Sequence, residues 1–223
     1  MTSPTAPADP LVSTDWLAER LDDPKVRVLD ATWCMPTDNR NPRAEYEQAH
    51  IPGAGFFDID AVADISIPLP HMLPSPEAFA AAVSAMGVGD ETLVVAYDNN
   101  GLIASARLWW TFRAMGHDQV RVLDGGLAKW RAEGRPLETN SASVVPTPAR
   151  FTATSSPALV RSFDQVKAGT EAVVDARSAA RFTGEAPEPR AGLKSGHMPG
   201  ALNVPHSEIL ANGRLKSAEA LAV

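Results

Sequence analysis

The chain of 223 residues contains one cysteine, Cys34. A single thiol excludes an intramolecular disulfide framework and a thiolate-rich metal site. Long apolar runs are also lacking. Stretches such as LVVAY, Leu93 to Tyr97, fall far short of the roughly 20 residues a helix needs to cross a bilayer. There is no block of Lys and Arg, and the net charge is −7 with a pI near 5.2. A nucleic-acid surface needs clustered basic side chains to meet phosphates, so that class is excluded. The opening MTSPTAPADPLVSTDW has neither a basic start nor an apolar core, unlike a secretory signal. Together these absences lead us to expect a cytoplasmic protein with no membrane and no nucleic-acid partner. What is present is ordinary for a globular chain: 44% hydrophobic and 21% charged residues, enough for one large domain or two small ones.

The chain repeats itself. HIPGA at His50 to Ala54 returns as HMPGA at His197 to Ala201. Upstream stand VRVLDA (Val26 to Ala31) and AVVDA (Ala172 to Ala176), β-branched runs that read as buried strands of a parallel sheet. Asp30 lies 20 residues before His50 and Asp175 lies 22 before His197. Helix signals precede both strands: Ser13 or Thr14 can cap a helix carrying Trp16, Leu17 and Leu21, and Ser162 one carrying Phe163 and Val166.

The first copy then continues. Ser75-Pro76-Glu77 opens a helix with Pro in its first turn. LVVAY reads as a strand, LIASARLWWTFRAMG as a helix closed by Gly116, VRVLD as a further strand, and a last helix carries Leu127 and Trp130 before Gly134. Alternating strands and helices imply an α/β unit with a mostly parallel sheet, whose ligands sit at the C-terminal ends of its strands. We place the first domain at residues 1–138, a Ser-, Thr- and Pro-rich linker at 139–158, and the second copy at 159–223. The strand matching LVVAY would fall after Val223, so the second domain is expected to be incomplete.

EYEQAHIPGAGFFDID, PHMLPSPEAF, ARLWWTFRAMGH, VLDGGLAKW and DARSAARFTGEAPEPRAGLKSGHMPGALNVP give the chain its family likeness. It resembles the tandem-rhodanese sulfurtransferases, and among them the 3-mercaptopyruvate type more than the thiosulfate type. The resemblance implies two similar rhodanese-like α/β domains, the first catalytically silent and the second carrying a nucleophilic cysteine in a tight loop after its central strand. In the first copy Asp98 stands in that cysteine's place, and a carboxylate cannot carry a persulfide. The implied nucleophile therefore lies beyond residue 223, and the 223 residues alone are expected to be inactive.

In such enzymes a thiolate attacks the sulfur of 3-mercaptopyruvate, forms a persulfide and releases pyruvate. A thiol such as thioredoxin, or cyanide, then takes the sulfur. The chemistry needs a stabilised thiolate, a fork for the substrate carboxylate and a proton donor for the departing enolate. By resemblance Arg181 and Arg190 bind substrate, which suits the bidentate geometry of guanidinium. His71, oriented by Asp60, is the proton-transfer group. His71 and Arg190 both point to the mercaptopyruvate type.

No cofactor and no metal is implied. His50 and His197 occupy equivalent turns without a second ligand at helical spacing, and are read as ties that hold the loop. His117 and His206 are read as structural, Cys34 as a half-buried structural thiol, and Trp109 and Trp110 as helix core and interdomain packing. A thiosulfate sulfurtransferase and a non-catalytic rhodanese-like binding module stand as alternatives. A phosphatase of related fold fits the silent tandem copy less well.

Overall fold

The computed structural model describes residues 9–139, 147–190 and 192–222, which divide into two units between Leu159 and Val160. In the first unit the elements follow the alternation expected. They are β1 (Leu11–Val12), α1 (Thr14–Ala18), β2 (Val26–Asp30), α2 (Pro42–Gln48), β3 (Gly55–Phe56), α3 (Ile59–Val62), α4 (Pro76–Ala85), β4 (Leu93–Tyr97), α5 (Ile103–Ala114), β5 (Val120–Leu123) and α6 (Gly126–Ala132). The five strands form one sheet in the order β1-β5-β4-β2-β3, every neighbouring pair parallel. The fold class is thus α/β, with a parallel central sheet in this unit.

The strands read as nearly continuous apolar runs because both faces of the sheet are covered. Successive side chains serve opposite cores. Leu29, Val94, Ala96 and Val120 join Phe79, Val83, Leu108 and Phe112 of α4 and α5. Val28, Val95, Tyr97 and Leu123 join Leu17 of α1, Leu127 and Trp130 of α6, and Ile51 of the HIPGA turn. Helix starts follow their sequence signals: Ser13 caps α1 by accepting the Trp16 N–H, and Ser75 caps α4 by accepting the Ala78 N–H.

Two readings change. Residues 139–158 look like a linker by composition, yet the described part from 147 onward is fastened to the first unit. Phe151 is buried in the α4–α5 core, and the Thr154 and Ser156 N–H groups bond to the carbonyls of Met115 and Ala114. Thr154 passes so close that a Cβ on Gly116 would meet its carbonyl oxygen at 2.8 Å. Trp110, in turn, is a half-buried flank of α5 lying under the Arg107 guanidinium, while Trp109 packs against the core as read, beneath the guanidinium of Arg113. Leu108 and Phe112 form the helix's core face.

The second unit contains α7 (Phe163–Lys167), β6 (Val174–Asp175), α8 (Ala179–Thr183), β7 (Leu202–Asn203), a hairpin of β8 (Leu210–Ala211) and β9 (Arg214–Leu215), and α9 (Ala218–Leu221). β6 pairs with β7 in parallel, Asp175 opposite Asn203, as Asp30 lies opposite Phe56 between β2 and β3. The repeat thus extends to hydrogen-bond register. It extends to the histidines too: His50 Nδ1 lies 2.7 Å from the carbonyl of Tyr46, the ring it stacks on, and His197 Nδ1 lies 2.7 Å from the carbonyl of Phe182, on which it stacks. Both histidines therefore act as loop ties. Burial is where the copies differ. Among the described residues of the second unit only Pro205 is buried, while Phe163, Val174, Leu202 and Val204 stand open.

Candidate functional site

At the C-terminal edge of the first unit's sheet, the chain leaves β3 and turns at Asp58. This residue caps α3 by accepting the N–H groups of Asp60 and Ala61. Asp60 therefore sits on a fixed first turn. Its Oδ1 lies 2.8 Å from His71 Nδ1, and its Oδ2 accepts the indole N–H of Trp33 at 2.8 Å. The structure brings these two sequence-predicted residues together.

His71 has φ 56°, in the left-handed region that costs a non-glycine residue about 1–2 kcal/mol. Arg107 of α5 reaches across and donates to the His71 carbonyl. Burial pushes the Arg107 pKa below its ordinary value, although a guanidinium remains charged at any physiological pH. Beside the imidazole runs an apolar cleft lined by Phe57, Ile59, Val62, Met72 and Thr111. The His71 side chain is 21% exposed and that of Asp60 58%. Nδ1 is the ring nitrogen turned to the carboxylate.

The loop after central strand β4 is built around Asp98, which is buried. Gly101 (φ 85°) and Leu102 (φ 63°) adopt left-handed conformations, and backbone N–H groups turn inward as in an anion-binding nest. Asp98's own carboxylate fills that nest. Oδ1 accepts the N–H groups of Asn100 and Leu102, and Oδ2 accepts the N–H and hydroxyl of Ser105. Cys34 is half-buried and makes none of the hydrogen bonds to Asp98. Burial pushes its thiol pKa up, with Arg40 opposing, so it is poorly ionised near neutral pH and unsuited to nucleophilic attack.

In the second unit Arg181 rides on α8 and forms a fork with Glu188, at 2.5 Å from Nη2 to Oε2 and 3.2 Å from Nε to Oε1. Glu188 also accepts from Arg177 at 2.7 Å. Arg190 is exposed in the same excursion, two positions on. One residue that sequence reasoning missed is Arg177. Its guanidinium clamps Asp175 at the end of β6, Glu188 and the Gly196 carbonyl before the HMPGA turn. Held this way, the Asp175 carboxyl is depressed to about 2. Its position two residues after the strand's Asp, where the first copy has Thr32, was the available signal: Thr32 likewise donates its N–H and hydroxyl to Asp30. Among the described residues no cluster of His, Cys, Asp or Glu suits a metal ion, and no helix is long and apolar enough to cross a membrane.

A family model described as a Rhodanese-like domain matches residues 13–133. Over 215 residues the chain is 43% identical to the 3-mercaptopyruvate sulfurtransferase of Escherichia coli (strain K12), covering 94% of this chain and 76% of that protein. It is also 43% identical over 231 residues to the mitochondrial Thiosulfate/3-mercaptopyruvate sulfurtransferase 1 of Arabidopsis thaliana. That match covers 93% of this chain, which spans only 61% of the plant protein's length. The crystal structure of SseA from Escherichia coli, described as having the rhodanese fold of 3-mercaptopyruvate sulfotransferases, superposes with a TM-score of 0.86 at 40% identity. This covers 96% of this chain and 82% of that one.

Proposed function

The chain belongs to the rhodanese-like domain family, and from that premise we propose that the whole protein is a 3-mercaptopyruvate sulfurtransferase. What carries the reading is the His71–Asp60 pair at 2.8 Å, on a copy of the fold whose own nucleophile position holds the sealed carboxylate of Asp98. Such a copy serves catalysis by lending a proton-transfer group, since the place of its nucleophile holds a carboxylate.

In the proposed reaction a cysteine thiolate that is none of these 223 residues attacks the sulfur of 3-mercaptopyruvate. The carbon–sulfur bond breaks and its electron pair passes to the pyruvate enolate. The cysteine is left as a persulfide. His71, oriented by Asp60, supplies the proton that converts enolate to pyruvate. Arg181 and Arg190 hold the substrate carboxylate and keto oxygen. For Arg181 this means sharing or surrendering the Glu188 carboxylate that it now grips. A thiol acceptor such as thioredoxin then removes the sulfur, in the cytoplasm. No cofactor takes part.

The double name of the Arabidopsis relative favours a second reading, in which thiosulfate is the physiological donor. Pyruvate release by the full-length protein separates them. Turnover of mercaptopyruvate far above thiosulfate is expected, and turnover of thiosulfate alone overturns the first reading. The 223 residues alone should form no thiocyanate from cyanide; product that survives Cys34→Ser would place a nucleophile where none is proposed.

A further inference from the structure

Trp33 touches both members of the His71–Asp60 pair. Its indole N–H donates to Asp60 Oδ2 at 2.8 Å, and its ring meets the imidazole edge-on, with centroids 4.7 Å apart and planes at 83°. One rigid side chain therefore fixes the carboxylate and limits the tilt of the ring that the carboxylate orients. The Trp33 main chain is itself held, because Asn100, from the loop sealed by Asp98, donates its side-chain N–H to the Trp33 carbonyl. Asp60 Oδ1 and the Arg107 guanidinium both contact His71, one on its ring and one on its backbone carbonyl. Without Trp33, a carboxylate that is 58% exposed would sample water-bound rotamers, since an exposed ion pair alone is worth little.

We propose that Trp33 is a positioning residue, which holds the Asp60 carboxylate and the His71 ring in one mutual geometry. This inference rests on the reading of His71 given above. It makes Asn100 and the silent loop part of the support of the site, so the first domain's Asp98 cradle serves His71 indirectly.

The test has two independent readouts. In the otherwise unaltered protein, the Trp33 indole 1H–15N resonance should move when Asp60 is protonated and should lose its hydrogen-bonded shift in Asp60→Ala. An indole resonance indifferent to Asp60 overturns the proposal, and this readout does not depend on any Trp33 variant folding. In the full-length protein, Trp33→Phe keeps a ring against His71 and removes the N–H. It should lower kcat for mercaptopyruvate about tenfold, the scale of lost support for an active side chain, with KM changed by less than about twofold. The same substitution should cost nothing further in an Asp60→Ala or His71→Ala background. A full loss that persists in His71→Ala means Trp33 acts by another route and overturns the proposal. Unimpaired turnover in His71→Ala alone would instead remove the functional reading of His71, with the indole measurement still deciding whether Trp33 holds Asp60.

Discussion

Replacing Asp98 by alanine should be among the most damaging single changes in the first unit. The carboxylate is almost wholly buried, and it accepts three backbone N–H groups and one hydroxyl, at 2.8 to 3.2 Å. Alanine leaves all four donors facing a cavity. A buried donor without an acceptor costs about 1–3 kcal/mol, and water admitted to the vacated space recovers part of that. The net expectation is a loss of about 3–5 kcal/mol, the usual scale for removing one side of a buried charged network. In urea unfolding this lowers the midpoint by roughly 1.5–2.5 M at an m-value near 2 kcal/mol per molar. Asp98→Asn retains one acceptor oxygen and turns an NH2 toward donors, so it should fall in between.

The cradle also makes a sharper demand. Once emptied, it is a nest of N–H groups without an anion. Sulfate or thiosulfate should restore stability to Asp98→Ala by binding only the folded form, to an extent beyond the general salting effect measured on the parent. An Asp98→Ala protein within about 0.5 kcal/mol of the parent, or one that responds to sulfate no more than the parent does, would refute the view that this loop is an anion cradle filled from within.

Gly126→Ala should destabilise the first unit by at least about 2 kcal/mol, read in the same urea titration. Its Cβ would fall 2.4 Å from the Asp98 carbonyl oxygen at a φ of 53°. His117 is held below its ordinary value of 6.5, chiefly by burial. Its contribution to stability is therefore complete above pH 6.5 and is lost as pH falls below that value, because the unfolded chain takes up the proton first. His117→Phe should flatten that part of the pH–stability curve. Asp175 has the same sign in a lower window, its carboxyl being depressed from 3.8 to about 2 by the Arg177 fork. Its contribution is complete above pH 3.8 and disappears as pH falls through about 2, and Arg177→Ala should remove this acid dependence from the second unit's NMR signals.

Much of the first unit was legible because its strands obey simple rules. VRVLD, LVVAY and VRVL are buried on both faces, so they needed only to be apolar and β-branched, and the structure pairs them as parallel neighbours. The Ser-Pro start of α4 carried its own cap. The 147–159 strap was misread because its composition is that of a linker while its alternation is not. Phe151 enters the core and Ala153 packs against it, with Thr152 turned to Asp90 at the surface. Trp33 was missed for a different reason. Its partners Asp60 and His71 lie 27 and 38 positions away, and no periodicity within one element records a contact of that span.

The near-equal spacing of the two copies concealed their functional difference. Twenty residues from Asp30 to His50 and 22 from Asp175 to His197 suggest one unbroken template. Counted to the ring that stacks on each histidine, the agreement dissolves. Tyr46 stands 16 positions after Asp30 and 4 before His50, whereas Phe182 stands 7 after Asp175 and 15 before His197. The first copy spends its extra residues before the helix, in the excursion that delivers Trp33 to Asp60 and His71. The second spends them after the helix, in the excursion that carries Glu188 and Arg190 and delivers Glu188 to Arg177 and Arg181. Loops at the C-terminal ends of parallel strands are where such a sheet takes its chemistry. Moving one excursion across one helix therefore gives a duplicated scaffold Trp33 beside the Asp60–His71 pair in one copy and a cluster of guanidinium groups in the other, while the strand register and the histidine tie of both remain unchanged.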